Sequence, residues 1–102
     1  MPCPFCQIPP ERIIAQNAQA FAIRDAFPVA PGHTLIIPYR HIASFFEATQ
    51  EEKLALLELL DEMRSTLSDA DSFNIGINDG AAAGQTVPHL HIHLIPRYQG
   101  DV

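Results

Sequence analysis

In the run His89-Leu90-His91-Ile92-His93-Leu94-Ile95, histidine and aliphatic residues alternate without a break from His89 to Leu94. A period of two belongs to an extended strand, in which successive side chains point to opposite faces. The pattern predicts three imidazoles on one side and Leu90, Ile92 and Leu94 on the other. One face must pack against a core while the other is left for chemistry. Histidines two apart have Cα atoms about 6.5 Å from one another, which puts the outer pair about 13 Å apart and leaves one metal ion out of easy reach of all three. The three rings are therefore expected to have different tasks. Pro88 fits the first position of the strand, where a missing N–H does little damage, and Pro96 is expected to end it. A solvent-facing strand that merely happens to be rich in histidine is the alternative. Three of the five histidines in the chain falling here at period two argue against it.

Around this strand the pattern is α+β. Ile13 and Ile14 read as a first strand, Asn17-Ala18-Gln19 as a turn, and Phe21, Ile23 and Asp25 as one face of a second. Pro28, Pro31 and Gly32 punctuate a loop before the short buried strand Thr34-Leu35-Ile36-Ile37-Pro38. His41 to Ala48 is read as a short helical turn. Thr49-Gln50-Glu51-Glu52 is a capping box that opens a helix whose apolar stripe is Leu56, Leu57, Leu60, Met63 and Leu67. Ser72 to Asn78 alternates again, with Phe73, Ile75 and Ile77 on one face.

At 102 residues the chain is expected to be a single domain, 1–102. Such a chain buries roughly 60 to 70% of its unfolded surface, which leaves a place for a metal staple or a partner subunit. A net charge of −6 with six scattered basic residues gives no cluster able to displace counterions, which argues against a nucleic-acid polymer as partner. A phosphorylated ligand would then have to be held by backbone N–H groups and histidines. No apolar run is long enough to span a membrane, and Met1-Pro2-Cys3 does not open a signal sequence. The expected location is the cytoplasm, with no membrane partner and with Cys3 and Cys6 reduced.

Cys3-Pro4-Phe5-Cys6 has the spacing of half a tetrahedral zinc site. Inert thiols and a redox pair are the alternatives, although the motif precedes Pro9-Pro10 and does not sit between a strand and a helix as a redox motif would. The missing ligands would be distant histidines, with His41 and His89 as candidates. Read alone, Asp25 is a solvated strand end and His33 a structural histidine. Asp79 to Val87 is a loop of small residues that can bring its backbone close to an anion, or simply connect two strands.

A neutral imidazole can attack phosphorus through its lone-pair nitrogen when the other nitrogen donates to a fixed acceptor, and a neighbouring ring can assist the leaving group. That chemistry suits phosphoryl or nucleotidyl transfer. A zinc ion held by His91 and His93 is the competing reading, for which no third ligand is evident.

The His89–Ile95 pattern resembles the signature of the histidine triad (HIT) nucleotide hydrolases and transferases. Pro31-Gly32-His33-Thr34-Leu35-Ile36-Ile37-Pro38, Asn78-Asp79-Gly80, Gly84-Gln85-Thr86-Val87 and Pro96-Arg97 are similar to its other landmarks, in the same order. The resemblance implies an antiparallel sheet of about five strands with one long and one short helix packed on it, commonly as a homodimer. It implies an enzyme that cleaves a nucleoside monophosphate from a dinucleoside polyphosphate or a phosphoramidate; a nucleotide sensor or docking module with little catalysis is the alternative. His91 would be the nucleophile within a histidine set of His33, His89, His91 and His93, with His93 holding the phosphate. Asn78, Gln85, Thr86 and the N–H of Val87 would line the phosphate. Asp25 would bind the ribose, and Phe5, Ile8 and Ile23 would form the slot for a purine base. In the zinc-bearing branch, Cys3, Cys6, His41 and His89 would hold a structural zinc.

Overall fold

The computed structural model describes residues 3–101. Five strands, β1 (Ile13–Gln16), β2 (Ala20–Arg24), β3 (Thr34–Pro38), β4 (Ser72–Gly76) and β5 (Ile92–Arg97), form one antiparallel sheet in the order β1-β2-β3-β5-β4. One long helix, α1 (Gln50–Ser65), packs on it, and the short helical turn expected after His41 is a 3₁₀ turn at Phe45–Glu47. The α+β architecture is the expected one.

The first hairpin turns where Asn17 Oδ1 accepts from the N–H groups of Gln19 and Ala20, and the Asn17 amide ties the turn to the Ala55 carbonyl in α1. The capping box forms as read: Thr49 Oγ1 accepts from the Glu52 N–H at 3.1 Å, and Glu52 Oε1 accepts from the Thr49 N–H at 2.9 Å. The helix stripe differs by one position from the sequence reading. Leu59 is 1% exposed and Leu57 is 53% exposed, because Leu56, Leu59 and Met63 fall on one line of the helix while Leu57 turns about 100° away from Leu56.

α1 lies over β1, β2 and β3 and buries Ala20, Ala22, Ile36, Leu90, Ile92 and Leu94. Full burial of each large aliphatic side chain in this layer contributes about 1.5 to 3 kcal/mol. The helix does not reach across β4. Ile75 shares a face with its partner Leu94 yet is 57% exposed, while Phe73 and Ile77 on the same face are partly covered. The opposite face of the sheet carries Phe21, Ile23, Leu35 and Ile37, and the N-terminal segment packs Phe5 and Ile8 over them.

The histidine strand also differs from expectation at both ends. Its ladder begins at Ile92, and Pro96 lies inside it, paired with Phe73 at a level where β3 has ended. Residues 89–91 are excluded because β3 closes on Pro38, which has no N–H and whose carbonyl accepts from His89 Nε2 at 2.8 Å; the Leu90 N–H goes instead to the Ile42 carbonyl. The alternation survives outside the ladder, for Leu90 remains buried with Ile92 and Leu94. Among the described residues no helix is long and apolar enough to cross a membrane.

Candidate functional site

Between the N-terminal segment and the open face of the sheet lies a cavity of about 490 Å³. Phe5, Ile8, Ile23 and Leu35 form an apolar wall, Asp25, His33, His91 and His93 supply polar groups, Thr86 and Val87 close one side, and Pro4, Arg12, Ala26, Phe27 and Val29 complete the lining. A mostly apolar pocket with a few convergent polar groups is the usual form of a small-molecule site. The sheet sets the order of these groups. Leu35 pairs with His93 and with Ile23, so a row runs from β5 across β3 to β2 on one face.

His91 is 7% exposed, and its Nδ1 lies 2.8 Å from the His89 carbonyl. A carbonyl only accepts, so Nδ1 carries the proton and the neutral ring keeps its lone pair on Nε2. The ring is packed edge-on against Phe5 at 5.0 Å and against His93 at 5.0 Å between centroids.

The His33 and His93 tautomers follow from one backbone group. The Val29 N–H donates to His33 Nδ1 at 3.1 Å, so the proton of neutral His33 sits on Nε2. That nitrogen is 3.0 Å from His93 Nδ1 and 3.5 Å from Asp25 Oδ2. Its N–H donates to His93, whose own proton is therefore on Nε2. Burial holds both rings below the ordinary histidine pKa; Asp25 opposes it, a proton on His91 would add to it at both, and one on His33 would add to it at His93. Asp25 follows the end of β2, its N–H bonded to the His33 carbonyl and its Oδ1 accepting from the Phe27 N–H.

Two groups of side chains have spacing suited to a metal ion. Cys3, Cys6, His41 and His89 present ligand atoms within 4.8 Å of one another. Cys6 Sγ lies 3.1 Å from His41 Nδ1, and His89 Nδ1 lies 3.4 Å from Cys3 Sγ and 3.6 Å from Cys6 Sγ. The edges of a tetrahedral S₂N₂ zinc site are about 3.6 Å, and the His89 Nε2–H bond to Pro38 leaves the Nδ1 lone pair facing the sulfurs, so the donor set fits. Asp25, His33 and His93 form the second group. It fits poorly, because Val29 occupies the His33 Nδ1 lone pair and leaves Nε2 protonated, with nothing to offer an ion. His91 belongs to neither group.

Of the residues singled out from the sequence, Phe5, Ile8, Ile23, Asp25, His33, Thr86, Val87, His91 and His93 come together on the larger cavity. His89 faces the cysteines. Asn78 lies beyond β4, which ends at Gly76, and lines a neighbouring cavity of about 270 Å³ that shares His33, His93 and Val29 with the first. Gln85 lines neither. Its Oε1 accepts from the Gly80 N–H at 2.7 Å and its Nε2 donates to the carbonyls of Ala43 and Val87, so the amide braces the loop. The N–H groups of Ala83, Gly84 and Gln85 are likewise bonded within the loop, which narrows the expected anion cradle. The N–H groups of Thr86 and Val87 have no partner among the described residues. Arg12, Phe27 and Val29 were not found from the sequence, since a lone arginine and two loop residues carry no local pattern.

A family model described as HIT domain matches residues 7–100. A 16.1 kDa HIT-like protein of Mycoplasma pneumoniae is 38% identical over 95% of this chain and 72% of its own length. A zinc-bound histidine triad family protein from Mycobacterium smegmatis superposes with a TM-score of 0.85 at 36% identity, over 97% of this chain and 77% of that one. The diadenosine triphosphate hydrolase of Plasmodium falciparum superposes with a TM-score of 0.86 at 30% identity, over 93% of this chain and 67% of that one.

Proposed function

The chain belongs to the HIT domain family, and from that premise we propose that it is a nucleotide hydrolase acting through a nucleotidyl group carried on His91. The observation that carries the reading is the bond from His91 Nδ1–H to the His89 carbonyl, which leaves the opposite nitrogen with a lone pair at a cavity of nucleotide size. In the first step His91 Nε2 bonds to the α-phosphorus while the bond from phosphorus to the leaving oxygen or nitrogen breaks. A polyphosphate oxygen departs as the anion and an amine nitrogen takes a proton from solvent as it leaves. In the second step water adds to the same phosphorus, the P–N bond to His91 breaks with its electron pair returning to Nε2, and the proton lost by water goes to solvent. Substrates of this chemistry are dinucleoside polyphosphates and nucleoside phosphoramidates; the relative from P. falciparum, a diadenosine triphosphate hydrolase, supports the first class.

His93 Nε2–H and the N–H groups of Thr86 and Val87 would neutralise the phosphoryl oxygens, Asp25 would accept from the ribose hydroxyls, and Phe5, Ile8 and Ile23 would hold the base. A structural zinc at Cys3, Cys6, His41 and His89 would tie the N-terminus to the histidine segment and take no part at the phosphorus. The homodimer implied by the resemblance and a cytoplasmic location belong to the same proposal. β4 is an edge strand with Ile75 uncovered, a surface suited to joining two sheets, and sedimentation of the purified chain at twice the monomer mass is the expected result.

Rapid mixing with radiolabelled diadenosine triphosphate and with an adenosine phosphoramidate tests the mechanism. The expected result is release of AMP and an acid-labile label on the protein, both lost in His91→Ala. Normal turnover in that variant would overturn the proposal.

A further inference from the structure

Arg12 is the lone Lys or Arg on either cavity beside the histidines, among the described residues. The other basic side chains are engaged elsewhere: Arg24 on Thr34 and Gly32, Arg40 on Glu52, Lys53 over the Phe45 ring, Arg64 over the Phe73 ring and Arg97 beside Asp101. Arg12 makes no ion pair among the described residues, and one of its nitrogens, Nη2, rests on the Arg24 carbonyl at 3.2 Å. That bond fixes the guanidinium and leaves most of its N–H donors free.

Its place on the sheet sets it apart from the proposed phosphate position. Arg12 directly precedes β1, at the far edge from β5, and its Nη2 is held over the end of β2. β2 lies two strand spacings from β5, about 10 Å. Asp25, just past the end of β2, and His33, just before β3, line the same cavity. A nucleoside monophosphate laid across the sheet, phosphate at His91 and ribose at Asp25, brings its base to the apolar wall and to Arg12.

We propose that Arg12 selects the base, favouring guanine and hypoxanthine over adenine, an inference that rests on reading the larger cavity as a nucleotide site. The apolar wall accepts any purine by shape. A guanidinium has donors only, and guanine and hypoxanthine present O6 and N7 as adjacent acceptors, whereas adenine places an amino donor beside N7.

Binding of GMP, IMP and AMP to the full chain, followed by calorimetry, tests this. GMP and IMP are expected to bind about tenfold or more tightly than AMP. Arg12→Ala should bring all three to the AMP level, and Arg12→Gln, whose amide pairs with adenine N6 and N7, should turn the preference toward AMP. AMP binding as tightly as GMP to the unaltered chain overturns the proposal. So does an equal weakening of all three in Arg12→Ala, which would make the arginine a general contact to phosphate or ring. Should Arg12→Ala fail to fold, the ratio in the unaltered chain and the Arg12→Gln variant still decide. Failure of all three nucleotides to bind removes the nucleotide site itself, and this inference with it; binding without preference removes the inference alone.

Discussion

The His89 carbonyl holds His91 Nδ1 at 2.8 Å while the His89 ring faces Cys3 and Cys6, so one residue touches both the metal-binding group and the proposed nucleophile. Elemental analysis of the purified chain is expected to give about one zinc per chain. Cys6→Ser should lose the metal and lower the Tm by several degrees, since binding energy at such a site is folding energy. Phosphate chemistry should need no added metal, and a rate that rises on adding free zinc or magnesium would contradict the assignment.

On the proposed function, His33 would act on the phosphate through His93. Its Nε2–H fixes the His93 proton on the outward nitrogen. His33→Ala is expected to lower kcat by about 10- to 100-fold with little change in KM, because it removes orientation and leaves the base and ribose contacts in place. A matching rise in KM with kcat unchanged would place His33 in ground-state binding instead.

Burial first, and neighbouring histidine charge second, hold His33 and His93 below the ordinary value of 6.5. The unfolded chain therefore takes up protons near 6.5 that the folded chain resists. Stability from this source is fully present above 6.5 and declines as pH falls from there toward the folded pKa values. Urea unfolding at pH 7.5 and 5.5 should show the decline, and it should be smaller in a His33→Gln variant.

Arg40 bonds twice to the buried Glu52, at 2.8 and 3.0 Å, and helps to hold that carboxyl at about 2. With the folded pKa depressed, the stabilisation is present above the ordinary value of 4.5 and is lost as pH falls from there to about 2. Arg40→Ala leaves Glu52 with its capping bonds alone and is expected to lower the midpoint of urea unfolding. His41, the next residue, should lose part of its anchorage, so the variant should also release metal to a chelator faster.

Period-two alternation placed Leu90, Ile92 and Leu94 on the buried face, although it did not announce the burial of His89 and His91 on the other, and Thr49 to Glu52 located the start of α1 from hydrogen-bonding chemistry alone. Both are local properties. The start of β5 was not local, since it depends on Pro38 two strands earlier in the sequence closing the ladder. The bracing role of Gln85 is not local either: its bond to the Ala43 carbonyl joins residues 42 positions apart, and nothing near Gln85 announces it. Arg12 gains meaning only when the sheet order puts it across from the histidines.

The proposed nucleophile and its neighbour are oriented on different length scales. Donor and acceptor for His91 are two residues apart on one backbone, whereas His93 depends on His33, sixty residues away in the chain. Grafted onto another extended scaffold, the segment from Val87 to Leu94 should therefore carry a correctly prepared His91 with it and deliver a His93 whose tautomer the new host decides.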